Sequence, residues 1–305
     1  MTQGASYTWT CTNSATASPS NSIKFPRSFG TGTTKLVGFG DWSDVPTTAS
    51  KTDPKYAQGP KVLAYLSGRT DVDAYMFAGD IAYNLSEDWT NAAATSGSNY
   101  NVDNGLTGNK WLEKITPVTS KTPFMMSAGN HENVMDKASL HYKTRFYMPL
   151  YTTSKNMYYS FDVNNVHITA INSLPFYEKP PNAAAIQTMK DFLINDLKST
   201  QKWKFVFLHH PFYCNFPGGS DLRCAEGAKA LRTSMEQILL DGKVDVVVAG
   251  HIHSYERILP IALDVIQTGS MDATKTVFTK PSAPIHLVCG AGGPSEGVGS
   301  CNLNF

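Results

Sequence analysis

Cysteine is scarce in this 305-residue chain: Cys11, Cys214, Cys224, Cys289 and Cys301 are too few for a disulfide framework to stand in for a hydrophobic core. Charge of one sign is missing too. The 26 basic and 25 acidic residues leave a formal net charge of +1, and no run of Lys or Arg marks a nucleic-acid or membrane footprint. No apolar stretch approaches the ~20 residues needed to span a bilayer. The opening Met1-Thr2-Gln3-Gly4-Ala5-Ser6 lacks the basic-then-apolar pattern of a signal peptide and reads as a mature or engineered start. These absences exclude a membrane span, a nucleic-acid binder and a small disulfide-stapled scaffold, and leave a chain able to bury a large core.

Two cysteines still carry an expectation. Cys214 and Cys224 bracket a Pro/Gly-rich loop with little apolar content to hold its shape, and a bond between them would stabilise the fold by roughly 2–3 kcal/mol in the chain-entropy model. That pairing implies an oxidising compartment. Cys289 ends an apolar run and reads as a buried free thiol. The sequon Asn84-Leu85-Ser86 marks Asn84 as a glycosylation candidate, a weak signal compatible with secretion.

Short apolar runs rich in β-branched and aromatic residues read as buried strands: 36–39, 74–77, 124–126, 166–171, 205–208, 244–248 and 285–288. Helical spacing appears in 184–197 (Ile186, Met189, Leu193, Leu197) and in 228–240 (Ala228, Leu231, Met235, Ile238). Strand and helix alternate, so the class is α/β. Residues 1–30 read as a poorly patterned lead-in and 31–305 as one catalytic domain; 92–109 and 173–182 read as loops, both placed to border an active site.

Five of the apolar runs end in residues able to bind metal: Gly40-Asp41, Gly79-Asp80-Ile81-Ala82-Tyr83, Gly129-Asn130-His131-Glu132, Val206-Phe207-Leu208-His209 and Gly250-His251-Ile252-His253. In open α/β sheets such loops gather at the carboxyl ends of strands. Asp41 and Asp80 supply hard anionic oxygens, Asn130 a neutral one, and His209, His251 and His253 imidazole nitrogens suited to zinc, iron or manganese. Tyr83 offers a phenol, which ionises near pH ~10 in the free state and binds as phenolate only to a strongly Lewis-acidic ion. The seven donors are the inventory for two cations sharing one carboxylate, the arrangement of two-metal phosphate hydrolases.

On these five motifs, in this order, and on Tyr158-Tyr159-Ser160-Phe161-Asp162, His209-His210-Pro211-Phe212-Tyr213 and Tyr255-Glu256-Arg257, the chain resembles the purple acid phosphatases, metallophosphoesterases of the calcineurin-like superfamily. The resemblance implies a four-layer α-β-β-α sandwich of two mixed sheets flanked by helices. It implies iron(III) held by Asp41, Asp80, Tyr83 and His253, and a divalent zinc, iron or manganese held by Asp80, Asn130, His209 and His251, with Asp80 bridging. It further implies hydrolysis of small phosphate monoesters by a metal-bound hydroxide, with His131 hydrogen-bonding the phosphate or the developing charge, and a secreted or lysosomal/vacuolar enzyme. A phosphodiesterase or nucleotide hydrolase with two divalent metals, and a metal-containing binding or sensing protein with little turnover, stand as the alternatives.

Two departures from the family pattern bear on mechanism. Ser43 replaces glycine in the first motif, and the loop after His209, where relatives commonly carry histidines before a Glu-Gly pair, has none before Glu226-Gly227. Arg223 is the candidate phosphate clamp there, through its forked donors. His210 is expected to point away from the metals by strand alternation.

Overall fold

The computed structural model describes residues 6–9, 21–24, 33–43, 58–87, 104–133, 138–214 and 228–298. Two short strands, β1 (Ser6–Trp9) and β2 (Asn21–Lys24), pair antiparallel within the lead-in, where sequence patterning signalled no strand. The chain then forms β3 (Leu36–Phe39), α1 (Gly59–Ser67), β4 (Ala74–Phe77), α2 (Leu106–Thr119), β5 (Phe124–Met126), α3 (Leu140–Arg145), α4 (Tyr151–Ser154), β6 (Tyr158–Val163) and β7 (Val166–Ile171). After α5 (Ala183–Asp196) and β8 (Trp203–Leu208) come α6 (Ala228–Asp241), β9 (Val246–Ala249), β10 (Tyr255–Ile258), β11 (Ile261–Ala262), β12 (Val265–Ile266) and β13 (Ile285–Cys289).

Strands β3, β4 and β5 make a parallel sheet in that order. A second, mixed sheet runs β10-β13-β9-β8-β7-β6, parallel through its centre and antiparallel at both margins. Side chains alternate between faces along these strands, and the alternation sorts the core into three layers. Ala74 and Met76 of β4 meet Tyr159, Ile168, Phe207 and Val248 between the sheets. Tyr75 and Phe77 point the other way, against Leu66, Trp111, Ile115 and Val118 of α1 and α2. On the far side Val206, Leu208 and Val247 pack against Met189, Leu193, Leu231, Met235 and Leu239 of α5 and α6. The order helix, sheet, sheet, helix is the four-layer sandwich that the resemblance implies.

Helices α5 and α6 lie within one residue of the sequence reading at each end. Asn182 caps α5, its side chain accepting from the Ala185 N–H. The loop expected over 92–109 is corrected at its end: residues 106–109 form the first turn of α2, whose Trp111, Ile115 and Val118 at helical spacing bury a stripe against β4. Among the described residues no helix is long and apolar enough to cross a membrane. Cys289 is a free thiol, pushed up to about 12 by burial; Cys11, Cys224 and Cys301 lie outside the described residues.

Candidate metal centre

All seven predicted donors stand just beyond the carboxyl ends of β3, β4, β5, β8 and β9, at one rim of the two sheets. Asp41, Asp80, Tyr83 and His251 have left-handed backbone, with φ of 60°, 56°, 48° and 68°. A run of non-glycine residues in that region is sterically costly, and such strain concentrates where a site dictates the geometry. The glycines beside the ligands explain themselves by contact. A Cβ on Gly129 would stand 2.3 Å from Asp80 Oδ1, and one on Gly79, at φ +82°, would stand 2.8 Å from His209 Nδ1.

The donors form two adjoining groups. In the first, Tyr83 Oη lies 2.9 Å from His253 Nε2 and 3.3 Å from Asp41 Oδ1, with His253 Nε2 3.4 Å from Asp41 Oδ1. In the second, Asn130 Oδ1 lies 2.9 Å from both His209 Nε2 and His251 Nδ1, and these two nitrogens are 3.2 Å apart. Asp80 Oδ2 stands 3.2 Å from His209 Nε2, and donor atoms of Asp41, Asp80 and His209 all lie within 4.8 Å of one another, joining the groups.

Hydrogen bonds behind the site decide which atoms face inward. His209 Nδ1 is 2.7 Å from the Ala78 carbonyl and His253 Nδ1 is 2.9 Å from the Gly297 carbonyl. A carbonyl only accepts, so both Nδ1 atoms carry hydrogen, and Nε2 is the nitrogen of each ring that faces the carboxylate, amide and phenol oxygens. Donor atoms gathered at about 3 Å call for positive charge among them, a metal ion or a proton on an imidazole, and imidazoles held from behind by carbonyls are the fit expected of metal ligands with their outer partners in place. Charges agree. Burial alone would lower His209, but Asp80 and Asp41 hold it up at about 9. Burial also opposes the ionised form of Asp80, yet His209 and His131 outweigh it and hold that carboxyl well below its usual range. Burial and the neighbouring carboxylates of Asp41 and Asp80 push the Tyr83 phenol well above its ordinary value, so ionising it there demands a strong positive charge among the three.

Several positioning groups lacked an assigned role at the sequence level. Glu132 accepts from the N–H groups of Gly129 (2.7 Å), Asp80 (2.9 Å) and Ile81 (2.8 Å), locking the two ligand loops together. The His251 N–H donates to Asp41 Oδ2 at 2.8 Å, and the His131 N–H to Asp80 Oδ1 at 2.9 Å. His131 is no part of either ligand group. Its Nε2 stands 3.9 Å from Asp80 Oδ2 and 3.6 Å from Glu296 Oε1, at the open side of the site. Burial would lower His131, but Asp80 and Glu296 raise it to about 9.

Two expectations change. Asn84 is buried, and its Nδ2 donates to Glu87 Oε1 at 2.7 Å, so the amide that a glycan would need is enclosed in this fold. His210 does not turn away: β8 ends at Leu208, alternation no longer applies, and the ring packs 4.3 Å from that of His251 and 3.8 Å from that of Tyr177, with Nδ1 2.8 Å from Ser173 Oγ. Trp42 and Trp111 are buried in the core and meet edge to face. The 173–182 segment lines an open groove of about 1070 Å³ with Asn133, two residues past His131. Arg223 lies outside the described residues.

Comparison with known proteins accords with this geometry. The model of the calcineurin-like phosphoesterase family matches residues 35–255, which include every candidate ligand. The chain belongs to the calcineurin-like phosphoesterase family. Acid phosphatase type 7 of Mus musculus is 28% identical over 254 residues, 79% of this phosphoesterase and 53% of that protein. Purple acid phosphatase 22 of Arabidopsis thaliana is 32% identical over 195 residues, 60% of this chain and 39% of that one. Among solved structures, a purple acid phosphatase isolated from yellow lupin (Lupinus luteus) seeds shares the fold with a TM-score of 0.65 at 18% identity, over 94% of this chain and 49% of that one. The chain thus spans about half the length of the curated relatives it matches.

Proposed function

We propose that this phosphoesterase hydrolyses phosphate monoesters at a dinuclear centre held by Asp41, Asp80, Tyr83 and His253 on one side and Asp80, Asn130, His209 and His251 on the other. The observation that carries the reading is the pair of adjoining clusters of nitrogen and oxygen donors joined through Asp80 and Asp41. When bound, two cations supply Lewis acidity to the phosphate oxygens and lower the pKa of an attacking water. Asp80, shared between the groups, offsets cation repulsion. Tyr83, buried against carboxylates, favours iron(III) in its group, whereas the amide and two imidazoles of the other suit a divalent zinc, iron or manganese. His131 presents Nε2 at the open side, placed to hydrogen-bond a phosphate oxygen or the charge that develops in attack. Arg223 is assigned to clamp phosphate from the loop after His209, and Cys214 and Cys224 to close that loop; both assignments rest on sequence, and with the bond they favour a secreted or lysosomal/vacuolar setting.

Steady-state hydrolysis of an activated aryl phosphate and of an alkyl phosphate tests the reading. Turnover of the aryl ester, abolished by chelation and restored by metal, is the expected result; activity on neither ester by metal-replete protein contradicts it.

A further inference from the structure

The Asn84 amide lies between two charged or chargeable groups whose contacts fix its orientation. Glu87 Oε1 is 2.7 Å from Nδ2, and a carboxylate can only accept, so the nitrogen side of the amide faces Glu87. The oxygen side therefore faces His131, with Oδ1 2.6 Å from Nδ1. An amide oxygen accepts, so His131 Nδ1 carries a hydrogen and Nε2 is the nitrogen turned to the open side, beside Asp80 and Glu296. Tyr83 closes the third side, its ring centroid 4.2 Å from that of His131. Asn84 is buried next to Tyr83 in sequence, so the loop that carries a metal-ligand candidate also carries the partner that orients the histidine.

We propose that Asn84, held by Glu87, is a positioning residue that fixes the ring orientation of His131, with Nδ1–H toward the amide oxygen, and so aims Nε2 at the substrate phosphate. The inference rests on the phosphatase reading for its kinetic consequence, but not for its binding consequence. Losing an outer hydrogen-bond partner of this kind costs about 10–100-fold where it has been measured around metal ligands. If Asn84 acts through His131 alone, its contribution vanishes once the imidazole is gone.

The experiment is a double-mutant cycle on metal-loaded protein with Asn84→Leu, His131→Ala and the pair, read as kcat/KM on an aryl phosphate and as affinity for inorganic phosphate by calorimetry. Asn84→Leu keeps the volume of the side chain and removes both hydrogen bonds; Asn84→Ala, which removes both with a smaller side chain, serves if the leucine variant does not fold. Expected are a fall of about 10-fold or more in kcat/KM for Asn84→Leu with two metals retained, and a change under about 2-fold for the same substitution when His131 is already alanine. Asn84→Ala is read by the same comparison of the two His131 backgrounds. Equal losses in both backgrounds, or none in the parent, overturn the inference. Wild-type protein that binds phosphate without hydrolysing the ester would refute the phosphatase reading alone, because the cycle on phosphate affinity still decides the role of Asn84.

Discussion

Glu132 holds three backbone N–H groups from two loops with one carboxylate, and those loops carry Asp80, Asn130 and His131. Glu132→Gln puts an N–H₂ group against at least one of those donors. Leaving a buried donor unsatisfied costs about 1–3 kcal/mol, so denaturant unfolding of the variant should shift by that amount, with loss of metal. Asp80→Asn removes the anion common to both groups; elemental analysis should find both metals lost, and retention of two would count against sharing. The ligands themselves were legible in the sequence because each sits immediately after a buried strand. Asn84 was legible only as a sequon and Glu296 had no assigned role, since His131, the partner that defines both, is remote in sequence and meets them only in the fold.

Hairpin β6–β7 is pinned to α5 by His167, whose Nδ1 is 2.7 Å from Asp162 Oδ1 and whose Nε2 is 3.0 Å from Asp196 Oδ2. Thr169 and Ser160 also donate to Asp196, and Gln201 to Asp162. Both ring nitrogens face carboxylates, which suits the imidazolium. Burial opposes that charge, but the two carboxylates win and raise His167 above its ordinary value, while His167 and the hydroxyls lower Asp196 against burial. A raised histidine contributes stability that is complete below its unfolded pKa of about 6.5 and is lost as pH rises through the folded value. The lowered Asp196 contributes above its unfolded pKa of about 3.9 and is lost as pH falls through the folded value. The strut therefore works best between about pH 4 and 6.5, and thermal melts of wild type and His167→Gln should differ most there and converge toward alkaline pH. Packing sets a larger scale. Leu193, fully buried between α5 and the mixed sheet, should cost about 2–5 kcal/mol as alanine in urea unfolding. The central strands declare themselves by β-branched and aromatic runs. β1 and β2 do not, because their Ser, Thr and Asn content resembles a loop. The start of α2 is hidden by the Gly- and Asn-rich stretch that precedes its apolar stripe.

At the scale of the whole molecule, the centre straddles the two sheets. Asp41, Asp80, Tyr83 and Asn130 follow strands of the parallel sheet, and His209, His251 and His253 follow strands of the mixed one. Each proposed metal therefore draws ligands from both sheets and ties them at the rim, above the layer of Met76, Phe207 and Val248 that packs them together below. Metal at about 1,000 times its dissociation constant would add about 4 kcal/mol to folding, so chelation should lower the melting temperature as well as abolish activity. The most direct test is metal content taken together with the visible spectrum of the protein as isolated. Two ions per chain with a visible band that disappears in Tyr83→Phe is the result expected of a dinuclear centre with a phenolate ligand. A single ion per chain, or a band that persists in Tyr83→Phe, would contradict it.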